Sequence, residues 1–182
     1  MKLSLAKRMI GLSLATVVII GVTVAGIVYY QVTRGYAAQA VNEVNNLSMA
    51  VKQQVDQMKT KALDVASLVA SNSEVVAAME KADGDLLRKL GREVMSRNGI
   101  GFITFADTKG NVLARGHSDK AGDSVLGQVN VRKALSGEAS VGIEEGTVVK
   151  FSLRAGYPVR TNDRIIGSVT PGFDLSSDYR FV

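Results

Sequence analysis

The chain has 182 residues and a formal net charge of +5, from 22 Lys and Arg against 17 Asp and Glu, with one His and no Cys. Lys2, Lys7 and Arg8 supply three of those five charges at the extreme N-terminus, so the rest of the chain is nearly balanced and nucleic-acid binding has no support. A single His excludes a His-built metal site and the lack of Cys excludes a disulfide framework or c-type haem attachment, so no cofactor is expected.

Between Met9 and Thr33 no residue is charged, and Val, Ile, Leu and Ala dominate. This exceeds the roughly 20 apolar residues a helix needs to cross about 30 Å of hydrocarbon. A transmembrane helix is predicted over residues 9–33. Lys2, Lys7 and Arg8 precede the span, only Arg34 closely follows it, and Tyr29 and Tyr30 fall where an interfacial aromatic belt lies. Residues 1–8 are therefore expected in the cytoplasm. The competing reading is a cleaved signal peptide with Ala38-Gln39-Ala40 as its small-x-small site, but the apolar core of a signal peptide spans only about 7–15 residues. Either reading puts the residues after 34 outside the cytoplasm.

Residues 34–82 are expected to form a long helical stalk. Ala37 to Ala82 contains neither Gly nor Pro, and Val44, Ser48, Val51, Val55, Met58, Ala62, Val65 and Val69 recur at alternating spacings of four and three. For the C-terminal half of this seam the expectation is packing against the following domain. Its membrane-proximal half is expected to pair with a second copy in a parallel homodimer.

Past Gly84 glycines concentrate and both prolines, Pro158 and Pro171, occur. A short helix is predicted over 85–96, then strands over 100–106 and 112–117 joined by the turn Asp107-Thr108-Lys109-Gly110. A brief helix over 129–135 follows. Three further strands are predicted over 139–144, 147–159 and 164–173, the last two joined at Asn162-Asp163. The fold class is α+β: an N-terminal transmembrane helix continues into a long helix that packs on a five-stranded antiparallel sheet, with residues 83–182 as one domain.

Strand periodicity puts Lys150, Ser152, Arg154 and Gly156 on one face and Phe151, Leu153 and Ala155 on the other, with Arg115 and His117 likewise co-facial. Cationic and hydroxyl groups opposite apolar ones suit a pocket for a carboxylate, which a guanidinium binds through paired N–H donors. A solvated sheet face is the plainer explanation of the same alternation. Gly122-Asp123-Ser124 is read as a helix cap, and Glu144-Glu145 as a solvated pair at a turn. With no nucleophile elbow or metal-spaced His pair, the chain is not expected to be an enzyme.

Asp107-Thr108-Lys109-Gly110-Asn111-Val112-Leu113-Ala114-Arg115 resembles the D-x-x-G-x-V-L-x-R hairpin of extracytoplasmic Cache (PAS-like) sensor domains. Ser152-Leu153-Arg154-Ala155-Gly156-Tyr157-Pro158-Val159, followed by Ile166-Gly167-Ser168-Val169-Thr170-Pro171-Gly172, is similar to the ending of single-Cache domains of bacterial chemoreceptors and sensor kinases. The resemblance covers about residues 35–182. It implies a periplasmic or extracellular ligand sensor held in the bacterial inner membrane, as the sensory part of a chemoreceptor, with histidine kinases and diguanylate cyclases as near relatives. In citrate and C4-dicarboxylate sensors of this family, carboxylates are held by Arg and His at the end of the second strand and by Ser, Arg and Lys on the penultimate one. Carried over, this implies Arg115, His117, Lys150, Ser152, Arg154 and Thr170 as the ligand-binding set, and a small carboxylate or amino acid as the ligand. The pattern departs at Arg115-Gly116-His117, where one residue instead of two separates Arg from His, and at Gly156, where a basic residue is expected. A tethered protein-interaction module without a metabolite is the alternative from a different class, and a first of two Cache units is a third reading. Because receptors of this type continue into a return helix, a chain stopping at Val182 is expected to be a fragment or a truncated product.

Overall fold

A computed structural model describes residues 5–176, and within α1 the side chains at 33–42 and of Val44, among others, lie outside the described set, as does the tail from 177. The chain divides after Ala50 into two units. In the first, α1 (Leu5–Ala70) begins with the apolar stretch Met9–Val32, whose mean hydropathy of 2.4 and 24 residues suffice to cross a membrane. The expected basic flank at Lys2 and the seam position Val44 lie outside the described residues.

The second unit holds the rest of α1, α2 (Ser73–Glu80), α3 (Gly84–Asn98), α4 (Val129–Leu135) and five strands: β1 (Phe102–Asp107), β2 (Val112–Arg115), β3 (Ser140–Glu145), β4 (Phe151–Thr161) and β5 (Arg164–Asp174). All pairings are antiparallel, and the order is β2-β1-β5-β4-β3. The expected five-stranded antiparallel sheet is present.

The expected uninterrupted helix to Ala82 is broken. α1 ends at Ala70 and α2 leaves it at 67°. Asn72 ends one helix and starts the next, its side-chain oxygen accepting from the amides of Glu74 (2.9 Å) and Val75 (3.2 Å). The bend lets α2 bury Val75, Ala78 and Met79 in the same core that receives α1.

That core lies on one face of the sheet. Ala62, Val65, Ala66, Val69 and Ala70 of α1, with Leu87 of α3, pack against Ile103, Phe105, Ala114, Leu153, Ala155, Val159, Val169 and Phe173. Each fully buried Val, Leu or Phe stabilises the fold by about 1.5–3 kcal/mol. The distal half of the heptad seam thus faces its own domain, as expected, while Val51 at its near end is 48% exposed. On the opposite face α4 sets Val131 against Ala106, Val112 and Val125.

Two turns fix the strand register. The Asp107 carboxylate accepts from the amides of Lys109 and Asn111, both at 2.8 Å, and Gly110 adopts φ 76°, a left-handed conformation that glycine takes at no steric cost. Between β4 and β5, Asn162 and Asp163 both have positive φ, 44° and 64°, as a two-residue hairpin of matching twist requires.

Candidate functional site

Sheet alternation sends Ser152, Arg154 and Gly156 of β4 and Ser168, Thr170 and Gly172 of β5 to the face under α4, opposite the apolar residues of the helical core. β1 contributes Phe102 and Thr104 to this face, and β2 contributes Arg115, whose Cα pairs with Thr104. Arg115, Ser152, Arg154 and Thr170 are all buried here.

Arg154 is 4% exposed, and every partner its guanidinium has among the described residues is neutral. Nε donates to Ser152 Oγ (3.0 Å), one Nη to Gln128 Oε1 (2.9 Å), and the other to the Val149 carbonyl (3.1 Å) and to Ser152 Oγ. Its Cζ stands 5.1 Å from the centre of the Phe102 ring, a cation–π distance. Burial pushes the Arg154 pKa below its ordinary value, the Glu144 charge opposes that shift, and Arg115 adds to it. An arginine stays charged all the same. A buried cation with no carboxylate in contact is costly, so this position favours an incoming anion.

Arg115, only 2% exposed, is already paired. Its two Nη groups reach Asp123 Oδ1 (2.7 Å) and Oδ2 (2.9 Å) in a two-point ion pair, and they also donate to the Lys120 carbonyl (2.7 Å) and Thr147 Oγ1 (3.1 Å). The hydrogen bonds from Arg115 hold Asp123 well below the usual carboxylate range, at about 2. Asp123 is therefore the counter-ion of Arg115 and not the cap of α4, whose N-cap residue is Gln128 with no side-chain capping bond.

His117 follows the end of β2, and its ring meets Phe102 edge-on at 5.5 Å, so Phe102 bridges His117 and Arg154. The His117 Nδ1 is buried and unpartnered. Burial holds its pKa below the ordinary 6.5; the Arg115 and Arg154 charges act in the same direction, against a backbone hydrogen bond with Ile103 and the Asp174 charge. The Thr170 hydroxyl accepts from Asn130 Nδ2 at 3.3 Å.

Lys150 departs from the expected alternation. β4 begins at Phe151 instead of Thr147, and residues 146–150 form a loop whose Val149 carbonyl turns inward to Arg154. Lys150 is exposed and lines an open cleft of about 500 Å³ with Gln128, Glu144, Glu145 and Thr147. Since Gln128 and Thr147 also hold Arg154 and Arg115, this cleft adjoins both guanidinium groups.

Three residues have roles that the sequence did not assign them. Glu144, read as solvated, receives the first two amides of α4, from Val129 (2.9 Å) and Asn130 (3.0 Å). Asn130 is 1% exposed, with its Oδ1 unpartnered. Gly156 has a packing reason: a Cβ there would stand 2.2 Å from the Asn130 carbonyl oxygen. α4 occupies the space that a side chain at 156 would need.

Residues 37–182 match the dCache_3 family model, described as the double sensory domain of two-component sensor kinase. A search of curated proteins gives no match. Among solved structures, the sensor domain of Escherichia coli DcuS superposes with a TM-score of 0.61 at 26% identity, over 68% of this chain and 93% of that one. The Vibrio cholerae histidine kinase DctB sensor domain gives 0.68 at 19% identity, over 76% of this chain. The Campylobacter jejuni chemoreceptor Tlp3 sensory domain with isoleucine bound gives 0.56 at 13%, also over 76%. This chain spans 57% of the DctB structure and 60% of the Tlp3 one, and at those identities the likeness is one of fold. With the matching model covering well over half of its length and the sheet, helices and buried face in place, the chain belongs to this family of Cache-type extracytoplasmic sensor domains.

Proposed function

We propose that the chain is the extracytoplasmic sensory part of a single-pass-anchored receptor, and that it binds a small carboxylate or an amino acid through Arg154, with Ser152, His117 and Thr170 around it and Lys150 at the mouth. The observation that carries this reading is the buried Arg154 guanidinium with only neutral partners, beside an open cleft. Isoleucine in the Tlp3 structure supports an amino acid as one ligand class. The description of the matching family favours a two-component kinase as the output, with a chemotaxis signalling domain as the other class.

Coupling has a short route. Arg154 is flanked on β4 by Leu153 and Ala155, which lie in one core with Val65 and Val69 of α1. A ligand that draws Arg154 away from Gln128 and Val149 shifts β4, and with it the face on which α1 rests. Swinging a two-state receptor from 1:99 to 99:1 takes about 5.5 kcal/mol of differential affinity, within reach of a few charge-assisted contacts made in one state. The N-terminus lies in the cytoplasm in this reading, and the near half of the heptad seam, including the exposed Val51, pairs with a second copy.

Calorimetric titration of the full chain in detergent micelles against short carboxylates and amino acids tests the reading. Saturable binding that Arg154→Met removes supports it. Silence across the panel favours a tethered interaction module.

A further inference from the structure

The geometry points to Asp123 as the residue that sets ligand charge: by neutralising Arg115 from within, it restricts the site to ligands presenting a single carboxylate. The inference rests on Arg154 being the anion-binding group. Two guanidinium groups face the same side of the sheet, close enough for each to act on His117, and such a pair suits a dianion. One of them is spent. Both Oδ atoms of Asp123 are engaged with the Nη groups of Arg115 at 2.7 and 2.9 Å, so Arg115 presents no free two-point face to a ligand.

Asp123 is held there by its backbone. Its carbonyl accepts from the Val112 amide (2.9 Å), the Gly122 amide donates to the Val112 carbonyl (2.8 Å), and the Val125 amide donates to the Gly110 carbonyl (2.8 Å). Asn111 and Ser124 form an antiparallel bridge in the same stretch. The segment is thus laced to the start of β2, and the carboxylate arrives at Arg115 preorganised, at less entropic cost than a free acid meets. Of the other carboxylates near the site, Glu144 is committed to the amides of Val129 and Asn130, and Asp174 accepts from the amide and hydroxyl of Ser176. What remains on the buried face is Arg154, one cation with no anionic contact, with Lys150 outside it at the exposed mouth, and a second ligand carboxylate on that face would meet Asp123 where it needs a donor.

The test compares propionate and L-alanine with succinate as titrants of the full chain in detergent micelles. Wild type is expected to bind the single-carboxylate probes in preference to succinate. Asp123→Asn, which keeps the shape and removes the charge, is expected to tighten succinate binding roughly tenfold or more, the effect of freeing one charge-assisted contact. The double variant Arg115→Met with Asp123→Asn is expected to lose that gain, which separates charge from a loosened loop. The inference alone is overturned if single-carboxylate binding depends on Arg154 while wild type takes succinate equally well, or if Asp123→Asn leaves the preference unmoved. Binding that ignores Arg154→Met, or silence of wild type and Asp123→Asn toward all three acids, overturns the underlying reading as well.

Discussion

Gly156 lies so close to the main chain of Asn130 that an added Cβ would fall 2.2 Å from the carbonyl oxygen and 2.7 Å from the carbonyl carbon. Both obstacles are backbone, so α4 itself must shift. Gly156→Ala is therefore expected to cost about 1–3 kcal/mol, as overpacking does. Gly142→Ala, on the neighbouring strand with nothing within 4 Å of the added atom, is expected to stay within about 0.5 kcal/mol of wild type. Denaturant midpoints of the two variants check this, and equal midpoints would place α4 elsewhere.

Glu144 reaches from β3 to the two leading amides of α4, joining a strand edge to the helix over the site. Loss of this charged cap in Glu144→Gln is expected to cost about 0.5–2 kcal/mol. Hydrogen exchange at the Val129 and Asn130 amides should accelerate, while the exposed neighbour changed as Glu145→Gln should leave it as in wild type.

The Arg115–Asp123 pair gives a pH signature. Asp123 titrates near 2 in the folded protein against an ordinary 3.8, so the folded state favours its charged form. The stability it adds is fully present above the unfolded value and is lost as pH falls from about 4 toward 2. The stability difference between wild type and Asp123→Asn is expected to be constant above pH 5 and to shrink across that window, measured by denaturant unfolding at each pH.

His117 offers a cleaner titration, because the chain contains no other histidine. Burial favours its neutral form, so its imidazole signals should move below pH 6.5, and folding stability should fall as pH drops through that region because the unfolded chain takes the proton more readily. A bound anion stabilises the imidazolium, so the His117 pKa is expected to rise on ligand addition and anion affinity to increase toward acid pH. An unchanged titration under saturating ligand would remove His117 from the site.

Period-2 alternation was enough to place Ser152 and Arg154 on the face opposite Leu153 and Ala155, and the Asp107-to-Gly110 turn was legible from its own chemistry. The helix break was missed because Ala37 to Ala82 holds no Gly or Pro; the Asn72 cap, flanked by Ser71 and Ser73 with Glu74 next, carried the signal. Lys150 was misplaced because Thr147-Val148-Val149 reads as β-branched strand, yet its Val149 carbonyl is taken by Arg154. Asp123 and Glu144 were misjudged for one shared reason. Their partners, Arg115 and the α4 amides, lie 8 to 15 residues away and meet them only after the sheet and α4 assemble. Gly156 showed a missing cation in the sequence, whereas its packing role depends on where α4 rests.

The most direct measurement is calorimetric titration of wild type and Arg154→Met, paired with thermal melts of both without ligand. A buried guanidinium with no carboxylate in contact serves binding at the expense of stability, so Arg154→Met is expected to melt no lower than wild type while its carboxylate affinity falls by about a hundredfold. A variant that melts far lower yet binds the same acids as tightly would show Arg154 to be a structural strut, and would contradict the account.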